Sequence, residues 1–274
     1  MKHLGSTLWL VSALVLLCGC GGGGGPKGGA GGIGPLEPSF SGVGVNIGGN
    51  WTFSTTSTVS APPLTIAGSI NQSGSSVSGA VHISGSNCFD QLTTMGLTGK
   101  LTGKNISLTS NSVAGQVTTF TGSITESAFT GTYTIKGGCA DGDQGNITGV
   151  KIFTIGNTLS GTFTASGGKP FEMTADMAQS SNPSPEGSFA ITGTATFRRS
   201  CINSGTITPG TFPSASFIMG TSVALEIKTD NGTVAFLGTF NRDKSEIDGA
   251  YTVSGGSCDQ TGIAVLVVSS PWDY

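Results

Sequence analysis

The sequence predicts an all-β chain built as two tandem, duplicated, antiparallel up-and-down β-barrels of about eight strands each, and three observations predict it. First, Ser, Thr and Gly alternate with Val, Ile, Leu and Phe through most of the 274 residues, while runs of Ala, Leu, Glu and Lys at helical spacing are missing. Second, one strand is written twice. Phe129-Thr-Gly131-Thr-Tyr133-Thr-Ile135, leading to Cys139, returns as Ile247-Asp-Gly249-Ala-Tyr251-Thr-Val253, leading to Cys258. Each copy follows a similar strand, Phe120-Thr-Gly122-Ser-Ile124 or Phe236-Leu-Gly238-Thr-Phe240. A spacing of roughly 115 residues exceeds that of solenoid repeats and implies duplicated domains. Third, glycine recurs mid-strand on the apolar face, as at Gly68, Gly79, Gly99, Gly122 and Gly161. That suits strands that coil sharply, or a narrow interior in which a facing aromatic ring needs room, as in a small closed barrel. A β-sandwich of the same strands is the alternative.

The chain opens with Lys2 and an apolar stretch from Leu8 to Leu17, too short for a comfortable membrane span and laid out as a signal peptide. It ends in Leu17-Cys18-Gly19-Cys20, which resembles the lipobox of bacterial lipoproteins. The resemblance covers only the beginning of the chain. It implies that residues 1–19 are removed and that Cys20 is lipidated, the acyl chains giving a membrane partner and a lasting anchor. In that class an Asp after the cysteine is the commonest inner-membrane retention signal of enteric bacteria. Gly21 in its place implies the outer membrane, with the body facing the periplasm or the surface. Residues 20–48 are Gly-rich, carry Pro26, Pro35 and Pro38, and are expected to act as a lipid-anchored linker.

The body is expected to divide into a β domain at 49–156 and a second at 157–274. In the first, strands are predicted at 49–56, 64–72, 76–84, 94–102, 104–110, 115–125, 127–136 and 145–155, and the same count is expected to repeat from 158. Short turn segments at 125–127, 230–232 and 241–244 separate successive strands, so neighbours in sequence should pair as a meander.

Four cysteines remain once Cys18 and Cys20 are set aside, and an oxidising compartment allows three pairings. Duplication selects Cys88 with Cys139 and Cys201 with Cys258, because each pair follows the third and seventh strands of its half. In a meander those loops share one rim. In the first half they are also among the longest, while the turns at 72–76 and 103–104 are short. Binding residues gather on long loops over a rigid scaffold, so a site is expected at the cysteine rims. Candidate residues are Phe89, Asp90, Asp141 and Asp143 in the first half, with Arg198, Arg199 and Asp259 in the second.

Little in the chain points to catalysis. His82, the one histidine beyond the signal, alternates with Val81 and Ile83 and is expected on a solvated polar face, without a Ser-His-Asp set. The acidic residues sit in turns or on polar faces, and no carboxylate pair suits glycoside hydrolysis. Asp141-Gly-Asp143-Gln-Gly-Asn146 has the alternating oxygens of a calcium loop but reads better as a polar turn, and the lack of a CxxC pair in the body argues against zinc. Trp51, Phe53, Phe129 and Tyr133 are expected in the core. A net charge of -3 without a basic cluster argues against nucleic acid, and thin aromatic content argues against a porin-like barrel. The expected function is a non-catalytic envelope lipoprotein that binds a small ligand or glycan at a rim or in a narrow interior, without cofactor or metal. A structural or adhesive spacer is the alternative.

Overall fold

The structure, a computed structural model, describes residues 45–269 except 60, 167–169, 242–244 and 257, with Asn157 described by its backbone alone. The expected signal peptide, Cys20 and most of the linker lie outside the described residues, as does most of the 241–244 turn.

The first body is a closed barrel of β1 (Gly49–Ser57), β2 (Thr65–Ser73), β3 (Ser76–Ser84), β4 (Met95–Thr102), β5 (Asn105–Ser110), β6 (Val117–Ile124), β7 (Ala128–Lys136) and β8 (Gln144–Ile152). Every strand pairs antiparallel with its sequence neighbour, and β1 closes on β8 through Asn50 opposite Ile152 to Ser57 opposite Gly145. That closure removes the sandwich alternative, since a sandwich would leave these two strands on separate sheets.

The second body comprises β9 (Gly156–Ala165), β10 (Phe171–Gln179), β11 (Phe189–Arg198), β12 (Ser204–Ile207), β13 (Phe217–Met219), β14 (Ser222–Thr229), β15 (Gly232–Asn241), β16 (Glu246–Ser254) and β17 (Gln260–Val268). Pairing of β17 with β9 and of β10 with β11 makes it a ring as well. The expected eight strands are nine segments here, because the fourth stave is broken. Both β12 and β13 pair with β11 and β14, and residues 208–216 leave the wall between them.

Inward residues are apolar and most outward ones polar, as in the buried–exposed alternation of β7 and β10, while Leu237, Ile263, Val265 and Val267 stand exposed on the outer wall of the second barrel. This reverses the pattern of a transmembrane barrel, whose lumen is polar and whose outer band is apolar. Trp51, Phe53, Phe129 and Tyr133 are buried as expected. Glycine makes room for them: a Cβ at Gly149 would strike the ring of Phe53, which pairs with Gly149 from the neighbouring strand. The cavity left in the first interior is ≈ 10 Å³, walled by Phe53, Phe120, Phe129 and aliphatic side chains. That is at most about one water's worth of space. In the second barrel Phe163 packs 4.9 Å from both Phe171 and Tyr251. The first barrel resembles a solid post more than a cup.

The duplication reaches individual hydrogen bonds. The chain enters the first barrel through Ile47, fully buried, whose N–H donates to Gln72 Oε1 at 2.9 Å. It enters the second through Ile155, whose N–H donates to Gln179 Oε1 at 3.0 Å. Only residues 153–155 separate the barrels, and Phe153 lies edge-on to Phe240 with ring centres 4.9 Å apart.

Candidate functional site

Cys88 is bonded to Cys139 and Cys201 to Cys258, with Cα atoms 5.4 and 5.9 Å apart, within the usual range for a bridge. The pairing expected from duplication therefore holds. A side-chain amide supports each bridge: Gln116 Nε2 donates to Cys88 O at 2.8 Å, and Asn231 Nδ2 to Cys201 O at 3.1 Å.

The rim candidates occupy varied settings. Phe89 is buried in the first core. Asp143 is buried and accepts from Ser57 Oγ at 2.7 Å and Tyr133 OH at 3.0 Å, tying three strands together. Asp141 accepts from the Gly137 N–H, Asp90 from the Leu92 N–H and the Thr93 hydroxyl, and Asp259 from the Gly256 N–H, so all three hold turns. Arg199 pairs with Glu172 at 3.1 Å on the surface, and Arg198 is exposed. Phe89, Asp141 and Asp143 share a hollow of ≈ 210 Å³ at the first rim. Arg198, Arg199 and Asp259 stand at the separate Cys201–Cys258 rim. Burial and the neighbouring Asp143 carboxylate push the Tyr133 hydroxyl above its ordinary pKa of 10.0.

A larger opening lies where the barrels meet. The end of the second barrel opposite its disulfide packs on the outer wall of β1, β2 and β3, a surface kept low by Thr52, Ala67, Ser69 and Ala80. There Asn50 Nδ2 donates to Gly220 O at 2.9 Å and Asn50 Oδ1 accepts from the Gly220 N–H at 2.6 Å, both buried. Gly187 and Gly220 have φ of +87° and +56°, and a Cβ on either would collide with the first barrel at Ala80 or Ala67. His82 is also buried here, at 5% exposure. The expectation of a solvated His82 is thus corrected: alternation does place it on the outer face, but the second barrel covers that face.

Beside this joint runs an open cleft of ≈ 750 Å³, lined from the first barrel by Asn46, Asn71, Gln72, Ser127 and Lys151 and from the second by Gln179, Ser180, Ser181 and Pro183. Ile152, Phe153 and Phe189 supply an apolar floor. Lys151 lays its stem over Gly49 and donates from Nζ to Asn46 O at 3.4 Å. Burial holds its ammonium below the ordinary 10.5, and the Glu126 charge opposes that shift. Several hydroxyl and amide groups, one ammonium and an apolar strip therefore face one volume. Sequence reasoning did not point to this cleft because its walls come from separate stretches of both barrels, from Asn46 to Phe189. For the joint beside it, the available signal was the placement of Ala67 and Ala80 at outward strand positions.

Among the described residues no three His, Cys, Asp or Glu side chains gather as a metal-binding group, and no helix is long and apolar enough to cross a membrane. No protein-family model matches the sequence, and no curated protein matches it. Among solved structures, the chain has a likeness to kievitone hydratase from Nectria haematococca at 10% identity and a TM-score of 0.22, covering 84% of this chain and 92% of that one. A likeness at that level carries no argument about this chain.

Proposed function

We propose that the protein is a non-catalytic, lipid-tethered envelope protein that binds a hydroxyl-rich glycan, preferably one bearing a carboxylate, in the cleft between its barrels. The observation that carries this reading is the contrast between a filled interior, with ≈ 10 Å³ free, and an outer cleft of ≈ 750 Å³. Pockets that recognise small molecules combine apolar surface with a few convergent polar groups, and the cleft offers both. Asn71, Ser181 and Gln179 suit sugar hydroxyls, the partly buried Phe153 suits the apolar face of a sugar ring, and Lys151 suits a carboxylate. Two disulfides fit an oxidising, extracytoplasmic compartment. Cys20, if lipidated, would hold the body to the outer membrane through residues 21–44.

The test is calorimetric titration of the Cys20→Ser chain with neutral and uronic-acid oligosaccharides. Binding of the acidic set, weakened at least tenfold by Lys151→Ala, is the expected result. Failure of the whole panel at millimolar concentration, or binding indifferent to Lys151→Ala and Asn71→Ala, overturns it. The spacer reading is favoured by the solid interior of the first barrel, and it predicts that failure. Mass spectrometry of the exported wild-type chain tests the anchor separately: a diacylglyceryl group on Cys20 is expected, and a free Cys20 thiol removes it.

A further inference from the structure

The imidazole of His82 stands between two backbone carbonyls from different barrels. Nδ1 is 3.0 Å from Gln91 O, in the loop after β3, and Nε2 is 3.0 Å from Glu186 O, in the second barrel's 180–188 loop. A carbonyl oxygen only accepts, so both contacts are hydrogen bonds only when both ring nitrogens carry protons. The doubly protonated ring thus bridges the barrels. The neutral ring has one N–H, and the site holds a partner for its lone pair: Thr94 Oγ1 lies 3.3 Å from Nε2 and can donate to it. In that state Nδ1–H keeps Gln91, Nε2 accepts from Thr94, and the Glu186 carbonyl faces no donor. Both states have a defined set of bonds, and they differ by one link across the joint.

Residues 85–94 carry Asp90 and residues 180–188 carry Glu186, both acidic, while β2 and residues 208–216 carry no titratable side chain. Lys100, on the neighbouring β4, stands opposite Ser76, six residues along β3 from His82. Phe212, from residues 208–216, covers the ring at 4.6 Å between centroids, a distance at which an aromatic face attracts a cation.

We propose that His82 is an acid-responsive clamp: protonated, it fastens the 180–188 loop to the first barrel, and on losing a proton it lets that loop go. Ser180, Ser181 and Pro183 of the same loop wall the cleft. If the cleft binds a glycan, as the preceding reading has it, ligand is held more tightly under acidic conditions.

The chain has two histidines, His3 and His82, and only His82 lies beyond the expected signal peptide, so its ring signals in NMR are unambiguous in the processed protein. The experiment follows those signals from pH 5 to 8 in the mature Cys20→Ser chain, made without residues 1–19 and so without His3, together with deuterium uptake by residues 180–188 corrected for intrinsic exchange. Uptake is expected to rise at least fivefold with the same midpoint as the imidazole signal, and to lose that dependence in His82→Gln, which cannot gain a proton. An imidazole that titrates without any change in uptake, or an unchanged pH profile in His82→Gln, overturns the clamp. Should His82→Gln fail to fold, the wild-type coincidence of midpoints decides alone. Titration of an acidic oligosaccharide at both pH extremes separates the two readings: a switching loop with no ligand bound at either pH leaves the clamp standing and removes the cleft as its target.

Discussion

In the first barrel the long connections, residues 58–64, 85–94, 111–116 and 137–143, all lie at the disulfide rim, and the opposite rim has only short turns. In the second barrel the disulfide rim is trimmed, down to residues 230–231 between β14 and β15, while one of its two longest connections, 180–188, projects from the other end. Residues 208–216 also leave the wall to meet the first barrel. The second barrel has therefore spent its irregular backbone on the joint, whereas the first offers a plain wall of short side chains to receive it. Duplication preserved the staves, the disulfides, the buried Ile that starts each barrel and its Gln partner. Besides the trimmed disulfide rim, the divergence falls where the copies touch each other, at positions a lone barrel would leave in water.

Disulfide removal should have the largest effect and tests whether the barrels are equivalent. The bridges close loops of 51 and 57 residues, so Cys88→Ser/Cys139→Ser and Cys201→Ser/Cys258→Ser should each cost about 4 kcal/mol in urea titrations. A large loss in one barrel alone breaks the equivalence.

The joint comes next. Asn50→Leu removes two buried hydrogen bonds and leaves the Gly220 N–H and C=O unpaired, at about 2–4 kcal/mol. Calorimetry should then resolve two unfolding transitions where the wild type shows one. A single transition with unchanged midpoint would show that the barrels are not coupled there.

The paired tyrosines sharpen the comparison further. Tyr133 donates to Asp143, but the equivalent Tyr251 hydroxyl is buried with no hydrogen-bond partner among the described residues. Tyr133→Phe should therefore cost about 2 kcal/mol, and Tyr251→Phe should be neutral or stabilising, by chemical denaturation. Equal losses would contradict the assignment.

The smallest effect is at alkaline pH. Burial raises both tyrosines above their ordinary 10.0, so the folded state keeps protons that the unfolded chain gives up. Their contribution is complete below pH 10.0 and is lost as pH climbs through the folded values. Lys151 works in the opposite sense: its depressed value means that stability rises as pH approaches 10.5. Tyr133→Phe/Tyr251→Phe should flatten the alkaline loss, and Lys151→Met should steepen it.

Most strand positions were legible because a half-buried strand must alternate, and the repeat gave the disulfide pairing by matching positions. The expectation of a rim site drew on loop length, but length does not reveal what a side chain is already doing. Asp90, Asp141 and Asp259 are residues that turns use for their own hydrogen bonds, and each does so here, while Asp143 is taken up by hydroxyls from β1 and β7. His82 shows the same limit: alternation gives the side of the strand, while a surface 100 residues away decides whether that side meets water.

By itself the sequence determined two barrel-forming ribbons, their meander order and their cysteine partners, because period-two patterning, short turns and internal repetition act between near neighbours. Only the tertiary structure decided that the first interior is full, that the copies share a buried joint, and that an open cleft lies beside it. Those outcomes depend on how side-chain volumes and two distant surfaces fit together in space, and no local pattern of polarity encodes that fit.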